Sequence, residues 1–278
     1  MSKLAGKHIV ITGASAGIGA ELARQLGAQG CRLTLAARRC ELLQQVAEQV
    51  RQAGGQAQVA VCDVAQREQV LALAAAARAG FGEIDVWVSN AGHGIRHRVL
   101  QAAEDDMLEQ YKVNCLSSLW GYQAVIPHWQ DHQRSGQVID VSSVGGKAGF
   151  PFAAGYVAAK HALSGLGDVA RQELAGSGIM ITTVYPGSTL SDFSRAVLDR
   201  TDGTITSSLS GIKRRSSLLV RILSAEQSSA HVARCIVGVM LRPRPTAYPH
   251  PGATFAAILN NFWPGFVLAQ IVKLRRGI

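Results

Sequence analysis

The stretch "HIVITGASAGIG", residues 8–19, decides the fold of this 278-residue chain. Its first five residues, which end at Thr12, form a short β-branched run that is typical of a buried strand. Gly13 follows this run directly, and apolar residues then recur at helical spacing over residues 18–26. The stretch therefore predicts a strand, a glycine turn and a helix in direct succession.

The same alternation continues along the chain. Further runs of strand length lie at 31–37, 57–64, 84–90, 136–143 and 178–186, and helical periodicity marks 42–50 and 70–79. Because strands that are separated by helices need crossover connections, they build a parallel sheet with helices on both faces. The sequence thus predicts an α/β fold, a doubly wound Rossmann-like sheet, in one domain that covers residues 1–278.

In such sheets, ligands bind beyond the carboxyl ends of the strands, where the strand order reverses. Residues with useful chemistry lie at these ends of the predicted strands, namely Gly13, Asp63, Asn90, Ser143 and Pro186. We therefore expect one binding site along this edge of the sheet.

The glycine turn carries Gly13, Gly17 and Gly19 between the first strand and the first helix. Glycines allow a tight turn and let a pyrophosphate approach the helix N-terminus, where free N–H groups favour an anion. The spacing is G-x-x-x-G-x-G, whereas the common dinucleotide fingerprint is G-x-G-x-x-G. A generic strand-to-helix turn is the alternative, but the flanking strand and helix favour a dinucleotide site.

The end of the second strand reads "LAARRC", with Arg38 and Arg39 where many NAD sites carry an acid. An arginine at this position accommodates a 2′-phosphate, so NADP(H) is favoured over NAD(H). The alternative is that both arginines are the solvated start of the next helix. Asp63 has two open roles, as acceptor for the adenine amino group or as cap of the helix near Gln66.

The stretch "GYVAAK", residues 155–160, places Tyr156 and Lys160 one helical turn apart. A free phenol has a pKa of about 10, so Tyr156 is a poor base unless cations stabilise its charged form. Lys160 is such a cation, and it also reaches a cofactor ribose from this position. Taken alone, the pair is equally an ordinary helix face.

Seven motifs carry a resemblance to a known family: "TGASAGIG", "CDV", "SNAG", "YKVNCLS", "VSS", "YVAAK" and "YPG". In this order and spacing, over roughly residues 7–190, they resemble the short-chain dehydrogenase/reductase family. The resemblance implies a single-domain oxidoreductase that uses a nicotinamide cofactor and no metal.

The resemblance also implies roles for individual residues. Tyr156 is the expected general acid/base, Lys160 its partner, Ser143 the hydroxyl that holds the substrate oxygen, and Asn114 part of the proton relay. Ser142 is the less favoured neighbour of Ser143. The expected cofactor-binding residues are Gly13, Ser15, Gly17, Ile18, Gly19, Arg38, Arg39, Asp63, Val64, Asn90, Ala91, Gly92, Tyr156, Lys160, Pro186 and Gly187.

The function expected from these residues is NADP(H)-dependent hydride transfer that interconverts a carbonyl and a secondary alcohol. A cofactor-sensing or binding protein without catalysis is the alternative on the same fold, since fold alone does not fix function. The intact set of Asn114, Ser143, Tyr156 and Lys160 favours the enzyme. The substrate is expected to be a small molecule, with a lipophilic one suggested by the apolar tail.

Charge and composition limit the partners. The formal net charge is +9, yet the basic residues are spread along the chain without a nucleic-acid motif, so no nucleic-acid partner is expected. The N-terminus lacks the long apolar run of a secretory signal, which predicts a cytoplasmic protein. A homodimer or homotetramer is the expected assembly.

Two segments and two histidines stand apart from this pattern. A substrate lid is expected at about 188–221, and an apolar C-terminal extension at about 243–278. For the extension we favour packing against the domain, the active-site mouth or another subunit over contact with an anionic membrane surface. His93 and His97 are expected to be surface residues, with a catalytic role as the less favoured alternative.

Overall fold

The computed structural model describes residues 2–190, 198–199 and 227–252, together with single positions between 255 and 269. Residues 191–197 and 200–226, which make up most of the expected lid, lie outside the described residues. So do most positions of the C-terminal extension beyond 252.

The core of the protein is a seven-stranded parallel sheet, and two short two-stranded pairings lie outside it. In chain order, the strands are β1 (His8–Thr12), β2 (Arg32–Ala37), β3 (Gln56–Val61), β4 (Val86–Ser89), β5 (Ile95–Arg96), β6 (Gly136–Val141), β7 (Ile179–Val184), β8 (Thr189–Leu190), β9 (Leu198–Asp199), β10 (Gln227–Ser228) and β11 (Thr246–Ala247). The order in the main sheet is β11-β7-β6-β4-β1-β2-β3.

Helices cover both faces of this sheet. They are α1 (Gly17–Gly27), α2 (Cys40–Gln52), α3 (Arg67–Phe81), α4 (Glu104–Tyr111), α5 (Ser117–Asp131), α6 (Ala154–Glu173) and α7 (Ser229–Leu241). A π-helical turn (Lys112–Leu116) joins α4 to α5.

The apolar faces of these helices form two large clusters, one on each face of the sheet, and a smaller one around Ala159 and Leu163 of α6. Leu22 of α1, Val46 of α2 and Val232 of α7 pack in one cluster against one face of the sheet. Val70 of α3 and Val125 of α5 belong to the cluster on the other face. The doubly wound α/β fold predicted from the sequence is therefore confirmed.

The strand register aligns the carboxyl ends that carry the predicted site. Thr12 pairs with Ala36, and Ser89 of β4 pairs with Asp140 of β6. Because β1 and β4 are neighbours while β2 and β3 extend the sheet on the far side of β1, the strand order reverses between β1 and β4. This is the switch point at which such sheets bind ligands.

Two features of the fold were not expected from the sequence. Thr246–Ala247, the start of the segment expected as an extension, pairs with β7 as the seventh strand of the main sheet. Ile95–Arg96 forms a short parallel pair with β9. Within the described part of the chain, no helix is long and apolar enough to cross a membrane.

Candidate active site

The glycine turn after β1 is held in place by Asn90. Its side-chain amide donates to the carbonyl oxygens of Thr12 at 2.9 Å and of Gly13 at 3.2 Å. Gly13 has a φ of +66°, and a Cβ there would lie 2.8 Å from Cα of Ala91. Glycine is therefore required here both by backbone conformation and by close packing.

The turn leads into an uncapped helix N-terminus. Helix α1 begins at Gly17, with no side-chain hydrogen bond from its N-cap residue Ala16 and no acidic residue in the first turn. A Cβ at Gly19 would overlap the carbonyl oxygen of Gly13, so the turn and the helix are in direct backbone contact. Unpaired N–H groups and the helix dipole make this an environment that suits a pyrophosphate.

Both arginines after β2 lie near this turn. The guanidinium of Arg39 donates to the hydroxyl of Ser15 through Nε at 3.3 Å and Nη2 at 3.1 Å. Arg38 is exposed, and its charge contributes to lowering the pKa of His93 across the site. The side chains therefore combine positive charge and a hydroxyl at the open edge of the glycine turn.

The carboxylate of Asp63 forms a hydrogen bond within its own loop. Its Oδ1 accepts a hydrogen bond from the backbone N–H of Ala65 at 3.0 Å. Helix α3 begins at Arg67, and its N-cap position, Gln66, makes no side-chain cap bond. Asp63 thus stabilises the turn after β3 rather than capping α3, while Val64 beside it is buried.

Helix α6 carries Tyr156 and Lys160 on one face, next to Ser143. The Lys160 ammonium lies 5.8 Å from the centroid of the Tyr156 ring and donates to the carbonyl oxygen of Val141 at 2.8 Å. A hydrogen bond joins the side chains of Tyr156 and Ser143. Ser142 turns to another partner, the carbonyl oxygen of Lys160 at 3.3 Å. Ser143, which follows β6, is therefore brought together with Tyr156 and Lys160 of α6.

Burial shifts the pKa values of this pair in opposite directions. It raises the pKa of Tyr156, an effect that the hydrogen bond with Ser143 opposes. It lowers the pKa of Lys160 from 10.5 to about 8, against the opposing charges of Asp140 and Cys115. The phenol is consequently held in its protonated form. The lowering of the Tyr156 pKa by Lys160 that the sequence suggested is not observed.

Asn114 lies in the π-helical turn and connects two segments of the site. Its Nδ2 donates to the carbonyl oxygens of His93 at 2.8 Å and Gln110 at 3.0 Å, while its Oδ1 accepts from the His93 N–H at 3.3 Å. A Cβ at Gly92 would lie 2.8 Å from that Oδ1 and 3.7 Å from Nζ of Lys160. Asn114 and the Lys160 ammonium thus both approach Gly92, and Asn114 lies in a type of turn that is frequent at functional sites.

The two histidines have different surroundings. His93 is half-buried, its Nε2 lies 3.3 Å from a carboxylate oxygen of Glu109, and burial is the main cause that lowers its pKa. His97 is only 1% exposed, so the expectation of a surface position is wrong for this residue. His97 directly follows β5, and its backbone N–H donates to the Phe152 carbonyl oxygen at 3.1 Å, so its backbone is joined to the loop before α6.

Pro186 and Gly187 follow β7 at the same edge. The Pro186 carbonyl oxygen accepts from the N–H of Val144 at 2.9 Å, which connects this loop to the segment after Ser143. A Cβ at Gly187 would lie 2.8 Å from Nε2 of Gln227. The amide of Gln227 is buried and has no hydrogen-bond partner within the part of the chain that the structure describes.

Two polar groups near the site were missed by the sequence analysis. Gln227 lies in a segment without a recognisable motif, so no signal pointed to it. Asp140 is fully buried, hydrogen-bonds Tyr122, and has its pKa raised to about 6 by burial. The sequence does contain a signal for Asp140. A charged residue inside the β-branched run "GQVIDVSS" is expected to be buried, and a buried carboxylate needs partners.

Among the residues that the structure describes, no cluster of three or more His, Cys, Asp or Glu side chains is arranged to hold a metal ion. The donors at the carboxyl edge are instead backbone N–H groups, hydroxyls, amides and cations. They suit a phosphate-bearing organic cofactor better than a metal.

Comparison with known proteins matches residues 7–202 to the family model described as short chain dehydrogenase. An uncharacterised oxidoreductase of Staphylococcus saprophyticus is 33% identical over 204 residues, which cover 72% of this chain and 81% of that protein. A short-chain dehydrogenase/reductase from Burkholderia phymatum, solved in complex with NAD, is 25% identical with a TM-score of 0.81, and 94% and 95% of the two chains are covered. A metagenomic short-chain oxidoreductase in complex with NADP is 27% identical with a TM-score of 0.71, at 89% and 96% coverage.

Proposed function

This chain belongs to the short chain dehydrogenase family, and we propose that it interconverts a carbonyl and a secondary alcohol by hydride transfer with NADP(H). The observation that carries the proposal is the junction of Ser143, Tyr156 and a buried Lys160 at the carboxyl edge of the sheet. A hydroxyl, a phenol and an ammonium at this edge supply what carbonyl chemistry needs beside a nicotinamide.

The residues present fit such a cofactor. The glycine turn and the uncapped N-terminus of α1 would hold the pyrophosphate, with Ser15, Gly17 and Ile18 around it. Asp63 and Val64 would border the adenine. Asn90, Ala91, Gly92, Pro186 and Gly187 would form the floor toward the nicotinamide, and Lys160 would reach the ribose.

The nicotinamide, when bound, supplies or accepts the hydride at the substrate carbon. In the reductive direction, Ser143 and Tyr156 donate hydrogen bonds to the carbonyl oxygen, which gains negative charge as the carbon gains hydride. Tyr156 then transfers its proton to that oxygen, and the product is a neutral alcohol. A proton from solvent, passed along water molecules at Asn114 and through Lys160, then restores the phenol from the phenolate that remains.

The electrostatics support this assignment of the acid. An acid for carbonyl reduction must be protonated at neutral pH, and burial raises the pKa of Tyr156 above its ordinary value. The reverse reaction needs the phenolate, whose formation requires positive charge nearby. Lys160 and an oxidised nicotinamide together would provide that charge.

The choice of NADP(H) is part of the proposal. The end of β2 offers no acid for a ribose 2′-hydroxyl, and Arg39 already lies within hydrogen-bonding distance of Ser15 at the mouth of the turn. Arg38, exposed beside it, would provide a second cation for the 2′-phosphate. One solved relative is in complex with NAD and another with NADP, so the preference for NADP(H) is argued from this chain's own residues.

A lipophilic substrate is supported by the surface beside the site. A cavity of about 390 Å³ is lined by residues of two loops, Arg98, Val99, Leu100, Gln101, Pro151 and Phe152. Its walls are mainly apolar, and Phe152 lies in the turn just before α6, the helix that carries Tyr156. An apolar ketone or alcohol would bury carbon atoms there while its oxygen reached Ser143.

The test is a titration of the purified protein with NADPH and with NADH, followed by a screen of carbonyl compounds for loss of cofactor absorbance. We expect tighter binding of NADPH, a loss of that preference in Arg38→Ala/Arg39→Ala, and no change of preference in Arg51→Ala, which removes an exposed arginine of α2. Preference for NADH in the unmodified protein would contradict the role of the two arginines. Failure of every carbonyl despite tight NADPH binding would favour the cofactor-sensing alternative.

A further inference from the structure

The C-terminal segment places aromatic side chains on the surface of the protein. Phe255 and Phe266 are each 47% exposed, Phe262 is 72% exposed and Trp263 is 63% exposed. By contrast, Trp87 and Trp129 are at most 1% exposed in the core. The exposure of these four side chains contradicts packing against the chain's own domain, which is one of the three contacts expected for this segment.

The described positions of this segment have helical spacing. Phe255, Leu259 and Phe262 are helical positions that follow one another at intervals of four and three residues, which is the spacing of one helix face. Trp263 lies outside the helix, and Phe266 follows this break. The N–H of Trp263 donates to the carbonyl oxygen of Leu259 at 2.8 Å, as helical geometry requires. The rings of Phe262 and Trp263 are neighbours, with centroids 6.2 Å apart. We refer to these five side chains as the aromatic face.

The charge of the surrounding sequence indicates what covers this face. Residues 227–278 contain no Asp or Glu, whereas they contain the basic residues Arg234, Arg242, Arg244, Lys273, Arg275 and Arg276. Two copies of this chain joined through the aromatic face would bring two such basic segments together, and like charges across an interface oppose association. An anionic surface complements both the aromatic face and the charge.

We propose that the aromatic face is a peripheral membrane-binding element that lies on an anionic lipid surface. Phenylalanine and tryptophan side chains enter the headgroup region, where an amphipathic ring is favoured, and the basic residues are attracted to acidic headgroups. Polar residues at Asn260, Asn261 and Gln270 interrupt the apolar run, which suits a segment lying along the surface. The inference is independent of the proposed redox chemistry.

The test mixes the full-length protein with vesicles of phosphatidylcholine alone or of phosphatidylcholine with phosphatidylglycerol, and measures co-sedimentation. We expect binding to the mixed vesicles only, with release at high salt because screening weakens the charge contribution. Phe262→Ser/Trp263→Ser should weaken this partitioning by about tenfold or more, since each aromatic contributes apolar burial. Val169→Ser, which changes an apolar residue of α6 that is 52% exposed elsewhere on the surface, is the matched control and should bind like the unmodified protein.

Fluorescence gives a second readout that does not depend on sedimentation. The exposed Trp263 should shift its emission to the blue with mixed vesicles, and Trp263→Phe should bind the vesicles without that shift. Equal partitioning of the unmodified protein and the double serine variant would overturn the proposal, as would binding to neither vesicle. Loss of a dimer in the double variant, without any vesicle binding by the unmodified protein, would instead assign the face to a second copy.

Discussion

Lysine 160 provides a test of the electrostatics without any substrate. Its side chain is 3% exposed, and burial lowers its pKa from 10.5 to about 8. Below the lower value, lysine is charged in both the folded and the unfolded protein, so folding bears the full cost of burying the charge. Between the two values the folded protein has lost the proton that the unfolded chain still binds, so the free energy of unfolding rises with pH.

The size of this effect follows from the two pKa values. Each pKa unit corresponds to about 1.4 kcal/mol, so a change from 10.5 to about 8 is worth on the order of 3 kcal/mol. Lys160→Met removes the titrating group and therefore the effect. It also removes the hydrogen bond to the Val141 carbonyl oxygen, which costs about 1 to 3 kcal/mol but does so at every pH.

The assay is urea unfolding of the unmodified protein and of Lys160→Met at several pH values between about 7 and 10.5. The stability of the variant relative to the unmodified protein should fall by about 3 kcal/mol over this range. Lys112→Met, which removes an exposed lysine from the π-helical turn, is the matched control for loss of a lysine. If the curves of the unmodified protein and Lys160→Met run parallel with pH, the burial argument for Lys160 is wrong.

Three further predictions concern Ser143, Asp140 and the glycine turn. Ser143→Ala should lower kcat for carbonyl reduction by about 10²-fold or more, because the developing oxyanion loses a donor; steady-state kinetics with an unchanged NADPH Kd would check this, and a normal kcat would exclude the role. Asp140→Asn should move the high-pH decline of reductase activity to lower pH, because the Asp140 charge raises the pKa of Lys160; an unchanged profile would exclude that coupling. Gly19→Ala should weaken NADPH binding measured by fluorescence, since a Cβ there overlaps the glycine turn, whereas Gly165→Ala on α6 has open space around it and should bind normally.

The sequence predicted the sheet well where strands are long and apolar. The strand at His8–Thr12 agrees with the predicted run at both ends, and the other five predicted strands differ by at most three residues at either end. These runs have a β-branched composition and are followed by glycine or polar residues, which is the local information that strand prediction uses. Thr246–Ala247 was missed because two residues carry no periodicity, and only pairing with β7 makes them a strand.

For the candidate site, the sequence located the residues but not their contacts. Motif spacing brought Asn90 to the site, yet its bonds to the backbone of Thr12 and Gly13 depend on how β1 and β4 pair. His97 likewise forms a backbone hydrogen bond with the carbonyl oxygen of Phe152, 55 residues further along the chain. Such contacts join residues that are distant in sequence, so periodicity and spacing do not report them. The pKa of Lys160 depends on the burial of its own side chain, which also results from contacts between distant parts of the sequence.

The central claim is that the Tyr156 hydroxyl transfers the proton during carbonyl reduction, and one measurement tests it most directly. Tyr156→Phe deletes that hydroxyl and keeps the ring, so single-turnover reduction with NADPH should slow by about 10²-fold to 10⁴-fold while the NADPH Kd stays the same. A variant that reduces the carbonyl at the rate of the unmodified protein, with normal cofactor binding, would contradict the account.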